Sequence, residues 1–112
     1  MKRVVEILTY VLKQNAGVDF HSIMQDVSVP LHLKSGIDVV AYGNSLHDVD
    51  CYYLIRAYES ESDRQFTQEK LYESVAWKQG PRVGIIERIE HSTRVVLVLT
   101  HETIESMRHD TQ

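Results

Sequence analysis

The chain has 112 residues, of which 43% are hydrophobic and 25% charged, with a net charge of −4 and a single cysteine. That length and balance suit one globular domain with its own core and exclude a disordered chain. The negative charge, with 12 scattered Lys and Arg residues, argues against nucleic acid or an anionic membrane surface as a partner. Cys51 has no partner for an internal disulfide, which suits a reducing compartment. No apolar run is long enough to span a bilayer, and Met1 to Leu12, interrupted by Glu6, lacks the features of a secretory signal. A cytoplasmic location is expected.

Val4 to Leu12 is rich in Val, Ile, Leu, Thr and Tyr and reads as a first strand. Asn15, Ala16 and Gly17 make a turn. Phe20, Ile23, Met24 and Val27 then fall at helical spacing, and Leu31 extends the stripe. Pro30 is expected to bend or interrupt this helix, and Gly36 to stop it. Ile37 to Tyr42 reads as a second strand, and a polar loop with His47 leads to a third, Cys51 to Tyr58. Ser62 with Gln65 has the spacing of a capping box. The helix it opens carries Phe66, Leu71, Tyr72 and Val75. Gly80-Pro81 separates it from a further segment whose apolar face is Val83, Ile85, Ile86 and Ile89. Thr93 to Leu99 is the fourth strand, and Thr100 caps a short terminal helix over 101–108 that holds Ile104 and Met107. The order β-α-β-β-α-β with a helical tail predicts an α+β, ferredoxin-like sandwich. It forms one domain over 1–112, with its core at about 4–99.

Helices between the strands cover one face of such a sheet and leave the other bare. Alternation divides each strand into two sets. The more apolar set, with Val5, Ile7, Thr9 and Val11 in the first strand and Cys51, Tyr53, Ile55 and Ala57 in the third, is assigned to the helices. The bare face is then Glu6, Leu8 and Tyr10 with Asp38, Tyr42, Leu54, Arg56, Arg94 and Val96. It is too apolar for water. A twofold homodimer is expected to bury it; the alternative is a C-terminal tail folded across the sheet.

The candidate site residues follow from this face. Glu6 is either a general base or the partner of Arg56 or Arg94 in an ion pair. Tyr10, Tyr42 and Tyr52 either line an aromatic pocket, with Arg56 and Arg94 to meet a ligand oxygen, or simply pack a core. Trp77 is core or cavity wall. His32 and His47, the latter beside Asp48, are either catalytic or structural. His101 and His109 are too widely spaced for a helical metal pair, and no HExxH, phosphate loop or GxGxxG occurs, so no metal or cofactor is expected.

Short motifs resemble those of NIPSNAP domains. They are Glu6-Ile7-Leu8-Thr9-Tyr10, Val29-Pro30-Leu31-His32 with Gly36, Ala41-Tyr42-Gly43, Tyr52-Tyr53-Leu54-Ile55-Arg56-Ala57, and Trp77 followed by Gly80-Pro81-Arg82. The resemblance runs from about Val4 to Val98. It implies a dimeric α/β barrel, in which two ferredoxin-like sheets meet, within a superfamily that includes cofactor-free monooxygenases, haem-degrading enzymes, isomerases and cyclases. Position 8, where many NIPSNAP domains carry arginine, is Leu8, so a charge pairing of that position with Glu6 does not carry over. Three functional readings stay open: a cofactor-free enzyme acting on a small aromatic or apolar compound, a non-catalytic ligand-binding module, and a dimeric interaction protein.

Overall fold

The computed structural model describes residues 1–108, and His109 lies outside them. The chain runs β1 (Lys2–Leu12), α1 (Gly17–Ile23), a π-helical turn (Met24–Ser28), α2 (Val29–Lys34), β2 (Asp38–Asn44), β3 (Cys51–Tyr58), α3 (Glu61–Glu73), α4 (Val75–Gln79), α5 (Arg82–Ile86), β4 (Ile89–Thr100) and α6 (His101–Met107). The four strands form one sheet in the order β2-β3-β1-β4, with each neighbouring pair antiparallel. Among the described residues no helix is long and apolar enough to cross a membrane.

The register determines which face the helices take. Glu6 lies opposite Arg56 and Val96, Leu8 opposite Leu54 and Arg94, and Tyr10 opposite Tyr52 and Ser92. Directly opposed residues of an antiparallel ladder share a face, and this face meets the helices over β1 and β3, while Val96 on β4 is left 40% exposed. Tyr52, Leu54 and Tyr58 join Phe20, Met24, Leu71, Trp77 and Ile85 in the main core, with Leu8, Tyr10 and Tyr42 packed against it. The expected assignment of faces is therefore reversed. Leu8, Tyr10, Tyr42 and Leu54 are covered by the chain's own helices rather than left bare for a second copy. The physical reason is that the helices carry polar partners: His32, Arg64, Gln68 and Tyr72 bond the charges of Glu6 and Arg56. A charge that is paired under a helix is no sign of a solvated or subunit-facing surface.

The opposite face carries Val5, Ile7, Thr9, Tyr53, Ile55, Val95 and Leu97. α6 covers one end of it, where Ile104 is fully buried with Val5, Val40, Ala41 and Ala57. Thr100 caps α6 by accepting the Thr103 N–H at 3.2 Å. Arg108 grips Asp38 with two bonds of 2.8 and 3.1 Å, and Arg3 adds another at 3.0 Å. Asp38, expected beside Glu6, lies on this face, at the end that α6 covers, instead. A register irregularity between Val39 and Ala41 puts Asp38 opposite Ala57 and Tyr42 opposite Leu54, on opposite faces despite their even spacing.

Two local departures position the site. Pro30 has no N–H to continue the helical ladder; just before it the Val29 N–H reaches back five residues to the Met24 carbonyl. That turn shifts the helical phase, so Val27 is exposed while Ser28, Val29 and His32 are buried. α3 is capped by Ser60, whose hydroxyl accepts the Asp63 N–H at 3.1 Å, rather than by Ser62. Its buried stripe is Gln68 and Leu71, and Phe66 and Val75, expected on the apolar side, are 66% and 67% exposed.

Candidate functional site

β1 and β3 present Glu6 and Arg56 side by side beneath α2 and α3, with Glu6 0% and Arg56 1% exposed. Arg56 donates from Nε to Glu6 Oε1 at 3.0 Å, and its Nη2 meets the same oxygen. From Nη1 it donates to His32 Nε2 at 2.9 Å and to the Tyr72 hydroxyl at 2.7 Å. Gln68 donates its amide to Glu6 Oε1 at 2.7 Å and to the Tyr58 hydroxyl at 2.9 Å. Arg64 reaches Glu6 Oε2 at 3.2 Å, and Arg94 stands 3.8 Å from that oxygen. Arg64, Gln68 and Tyr72 are spaced four residues apart on α3, so one helical stripe delivers all three.

The network dictates the state of His32. Its Nε2 accepts from a guanidinium that has no lone pair to offer, so the proton sits on Nδ1, which donates to the Ser28 carbonyl at 2.7 Å. Burial first, then the Arg56 charge, lowers its pKa to about 4. His32 is thus a neutral acceptor with both nitrogens occupied. Glu6 has its oxygens engaged by Arg56, Gln68 and Arg64. Neither is an unoccupied base. Burial pushes the Tyr58 phenol up to about 12 and Tyr10 higher still, so both remain protonated hydrogen-bond donors at neutral pH.

Beside this cluster lies a cavity of about 310 Å³ between the sheet and α3–α5. Arg56, Arg94, Tyr10 and Trp77 all line it, together with Gln68 and Tyr72. Trp77 packs edge-on against Tyr72 with ring centroids 4.9 Å apart. Ile85, Ile86, Ile89 and Leu8 complete apolar walls, and Ser92 lies at the exposed side. Its size and its mixture of apolar walls with a few convergent polar groups suit a small organic ligand.

No family model and no curated protein sequence matches this chain. Solved structures do. A NIPSNAP family protein of unknown function from Agrobacterium tumefaciens superposes with a TM-score of 0.79 at 21% identity, over 87% of either chain. An uncharacterized NIPSNAP domain protein from Burkholderia xenovorans gives 0.75 at 23% identity, over 88% of this chain and 95% of that one. The fold is that of the NIPSNAP proteins. A Nitrosomonas europaea protein, provisionally assigned as an antibiotic biosynthesis monooxygenase, shares it more distantly, with a TM-score of 0.64 at 16% identity over 84% of this chain and 95% of that one.

Within this NIPSNAP fold the other candidate residues stand apart from the cavity. Tyr52 is buried against Phe20 and bonds His21 Nδ1 through its hydroxyl at 2.7 Å, while Tyr42 packs near the same imidazole. Both tyrosines serve the contact with α1. His47 sits in the exposed β2–β3 loop, its Nδ1 at 2.6 Å from Ser45 Oγ. A broader depression of about 820 Å³ lies there, at the end of the sheet, between that loop and Thr9, Val11, Cys51 and Tyr53, and it brings His47 together with Tyr10 and Tyr52 in its lining. It is larger but holds no buried charge, whereas the smaller cavity is lined by the buried Arg56. Burial first, then Asp48, raises the Cys51 thiol pKa, the opposite of what a reactive thiolate needs. Among the described residues no His, Cys, Asp and Glu side chains gather to hold a metal ion. Tyr72, Gln68 and Arg64 were not among the sequence candidates. Their signal was the polar spacing of four residues in phase with Leu71 on a helix that had to cover a sheet.

Proposed function

We propose that the protein binds a small, flat, largely apolar compound in the cavity beneath α3–α5, and that Arg56 and Tyr10 orient one of its oxygens. The observation that carries this reading is Arg56. Burying a guanidinium is costly unless its donors are satisfied, and every hydrogen of Arg56 but one is spent on Glu6, His32 and Tyr72. The remaining Nη2 hydrogen belongs to a group that lines the cavity. Tyr72 and Trp77 offer ring faces and edges to a flat ligand, each good aromatic contact adding about 0.5–1.5 kcal/mol beyond area burial. The test is calorimetric titration with naphthols and hydroxyquinones, using Tyr10→Phe and Ser92→Trp as variants. Ser92 is exposed at the cavity edge, so an indole there fills the space without entering the core. Unaltered binding by Ser92→Trp would place the site elsewhere.

A catalytic reading draws on the same geometry. Arg56 and Arg94 suit the stabilisation of a developing oxyanion, as in chemistry of the cofactor-free monooxygenase, isomerase or cyclase type. The fold-level likeness to the Nitrosomonas europaea protein favours it by analogy. Because Glu6 and His32 are engaged, the substrate would have to supply an acidic proton of its own. Oxygen uptake or product formation with a bound compound separates enzyme from binding module.

The assembly belongs to the proposal too. Beyond the end covered by α6, the face opposite α1–α5 exposes Val11, Val95 and Thr9 beside half-buried Ile7, Ile55 and Tyr53. A contiguous apolar strip on one sheet face suits burial against the same strip of a second copy. The homodimer is therefore proposed through the face opposite to the one first expected. The free, partly buried Cys51 fits a reducing cytoplasm.

A further inference from the structure

We infer that Arg94 captures the ligand's charge, and that the ligand is an organic monoanion: a carboxylate, phenolate or enolate on a flat apolar body. The inference rests on the cavity reading above and narrows it.

Three guanidiniums surround Glu6, and they are not equally committed. Arg56 is spent on Glu6, His32 and Tyr72 except for one hydrogen. Arg64 forks onto Glu61, with Nε to Oε1 at 2.7 Å and Nη2 to Oε2 at 2.6 Å, and its Nη1 goes to Glu6. The Arg94 guanidinium makes no hydrogen bond among the described residues. Its approach to Glu6 Oε2, at 3.8 Å, is beyond that range, and its side chain is 56% exposed. It also lines the cavity.

The charges point the same way. Arg56, Arg64 and Arg94 stand against Glu6 and Glu61, and His32 is a neutral acceptor, so the cluster carries one positive charge more than it pairs. Glu61 is already in that count, and it acts on Arg94 only through space, without a hydrogen bond. Its oxygens are taken by Arg64 and by Gln65 at 3.0 Å, and the Arg64 bonds hold its carboxyl at about 2. No acidic side chain among the described residues lines the cavity, and Asp38 is on the other face of the sheet. Arg94 and Arg56 reach the two oxygens of one carboxylate, so a second carboxylate in the cavity comes within range of both. There it replaces the long Arg94–Glu6 contact with a charge-assisted hydrogen bond. The Tyr10 phenol, kept protonated by burial, donates to the same anion. One surplus cation fits one negative charge and gives no added gain for a second.

The test titrates the protein with 2-naphthoate, the neutral isostere 2-naphthamide and the dianion 2,3-naphthalenedicarboxylate. Naphthoate should bind the wild type roughly tenfold or more tighter than the amide, as a charge-assisted bond implies, and the dianion no tighter than the monoanion. Arg94→Gln should remove the preference for naphthoate yet leave amide affinity within about twofold, which shows an intact cavity. Arg94→Lys should restore part of the preference, since a point charge survives without the fork. Equal binding of acid and amide by the wild type, abolished in Ser92→Trp, would keep the cavity reading and overturn the charge assignment. A preference that persists in Arg94→Gln would overturn the role of Arg94. If neither compound binds, the cavity reading and the inference fall together.

Discussion

Removing the carboxylate of Glu6 tests the polar cluster most directly. In Glu6→Leu, the Nε of Arg56, its Nη2 and the Gln68 amide lose their shared acceptor, at a site where Glu6 is 0% and Arg56 1% exposed. Breaking a buried pair from one side costs about 3–5 kcal/mol, because the surviving charge stays uncompensated. For a domain of this length, about 4 °C of melting temperature accompanies each kcal/mol, so the expected fall is roughly 12–20 °C. That is a large share of the roughly 5–15 kcal/mol that holds such a domain folded. Thermal unfolding followed by circular dichroism reads it. The companion variant Glu6→Leu with Arg56→Met removes both charges and should regain at least about half of the loss. A single variant that melts within about 3 °C of the wild type would show that Glu6 is not the counter-ion. A double variant no more stable than the single would trace the cost to packing rather than to a stranded guanidinium.

His32 predicts a pH window. Its folded pKa of about 4 lies below the ordinary 6.5, so below pH 6.5 the unfolded chain takes up a proton that the native state refuses. Stability therefore falls as pH drops from 6.5 to about 4, by roughly 3 kcal/mol over the window. Urea midpoints at pH 7, 5.5 and 4.5 should show this slope, and His32→Gln should flatten it; equal slopes would mean the imidazole is not neutral and buried. Gly17→Ala should destabilise by more than an ordinary surface change, because an added Cβ would clash with the Val49 carbonyl oxygen, next to the turn that Asp50 holds through the Asn15 and Gly17 N–H groups. A melting temperature within about 1 °C of wild type would refute that close approach. Val95→Glu, at a position 51% exposed on the face opposite α1–α5, should yield a folded monomer by light scattering. A dimer that persists in Val95→Glu at micromolar concentration would move the interface elsewhere.

The order of strands and helices was legible in the sequence because each element carries a local signal: β-branched and aromatic runs at Val4 to Leu12 and Cys51 to Tyr58, Gly36 at a helix end with φ +81°, and Thr100 before α6. The pairing of Glu6 with Arg56 was also within reach, since the two sit on strands that the fold makes neighbours. The choice of face was not. Hydropathy alternation counts apolar side chains, whereas the decision turned on what the helices bring, and His32, Gln68 and Tyr72 supply bonds that no strand pattern records. Asp38 and Tyr42 were separated by an irregularity at Val39/Ala41 that alternation cannot register. The phase of His32 depended on the π turn before Pro30. Sequence periodicity, being local, named the strands and most of the charged side chains; the pairing of β1 with β3, and the laying of α2 and α3 across that pair, decided which of those charges are buried, which is spent, and that Arg94 keeps only a long 3.8 Å contact with Glu6 at a cavity.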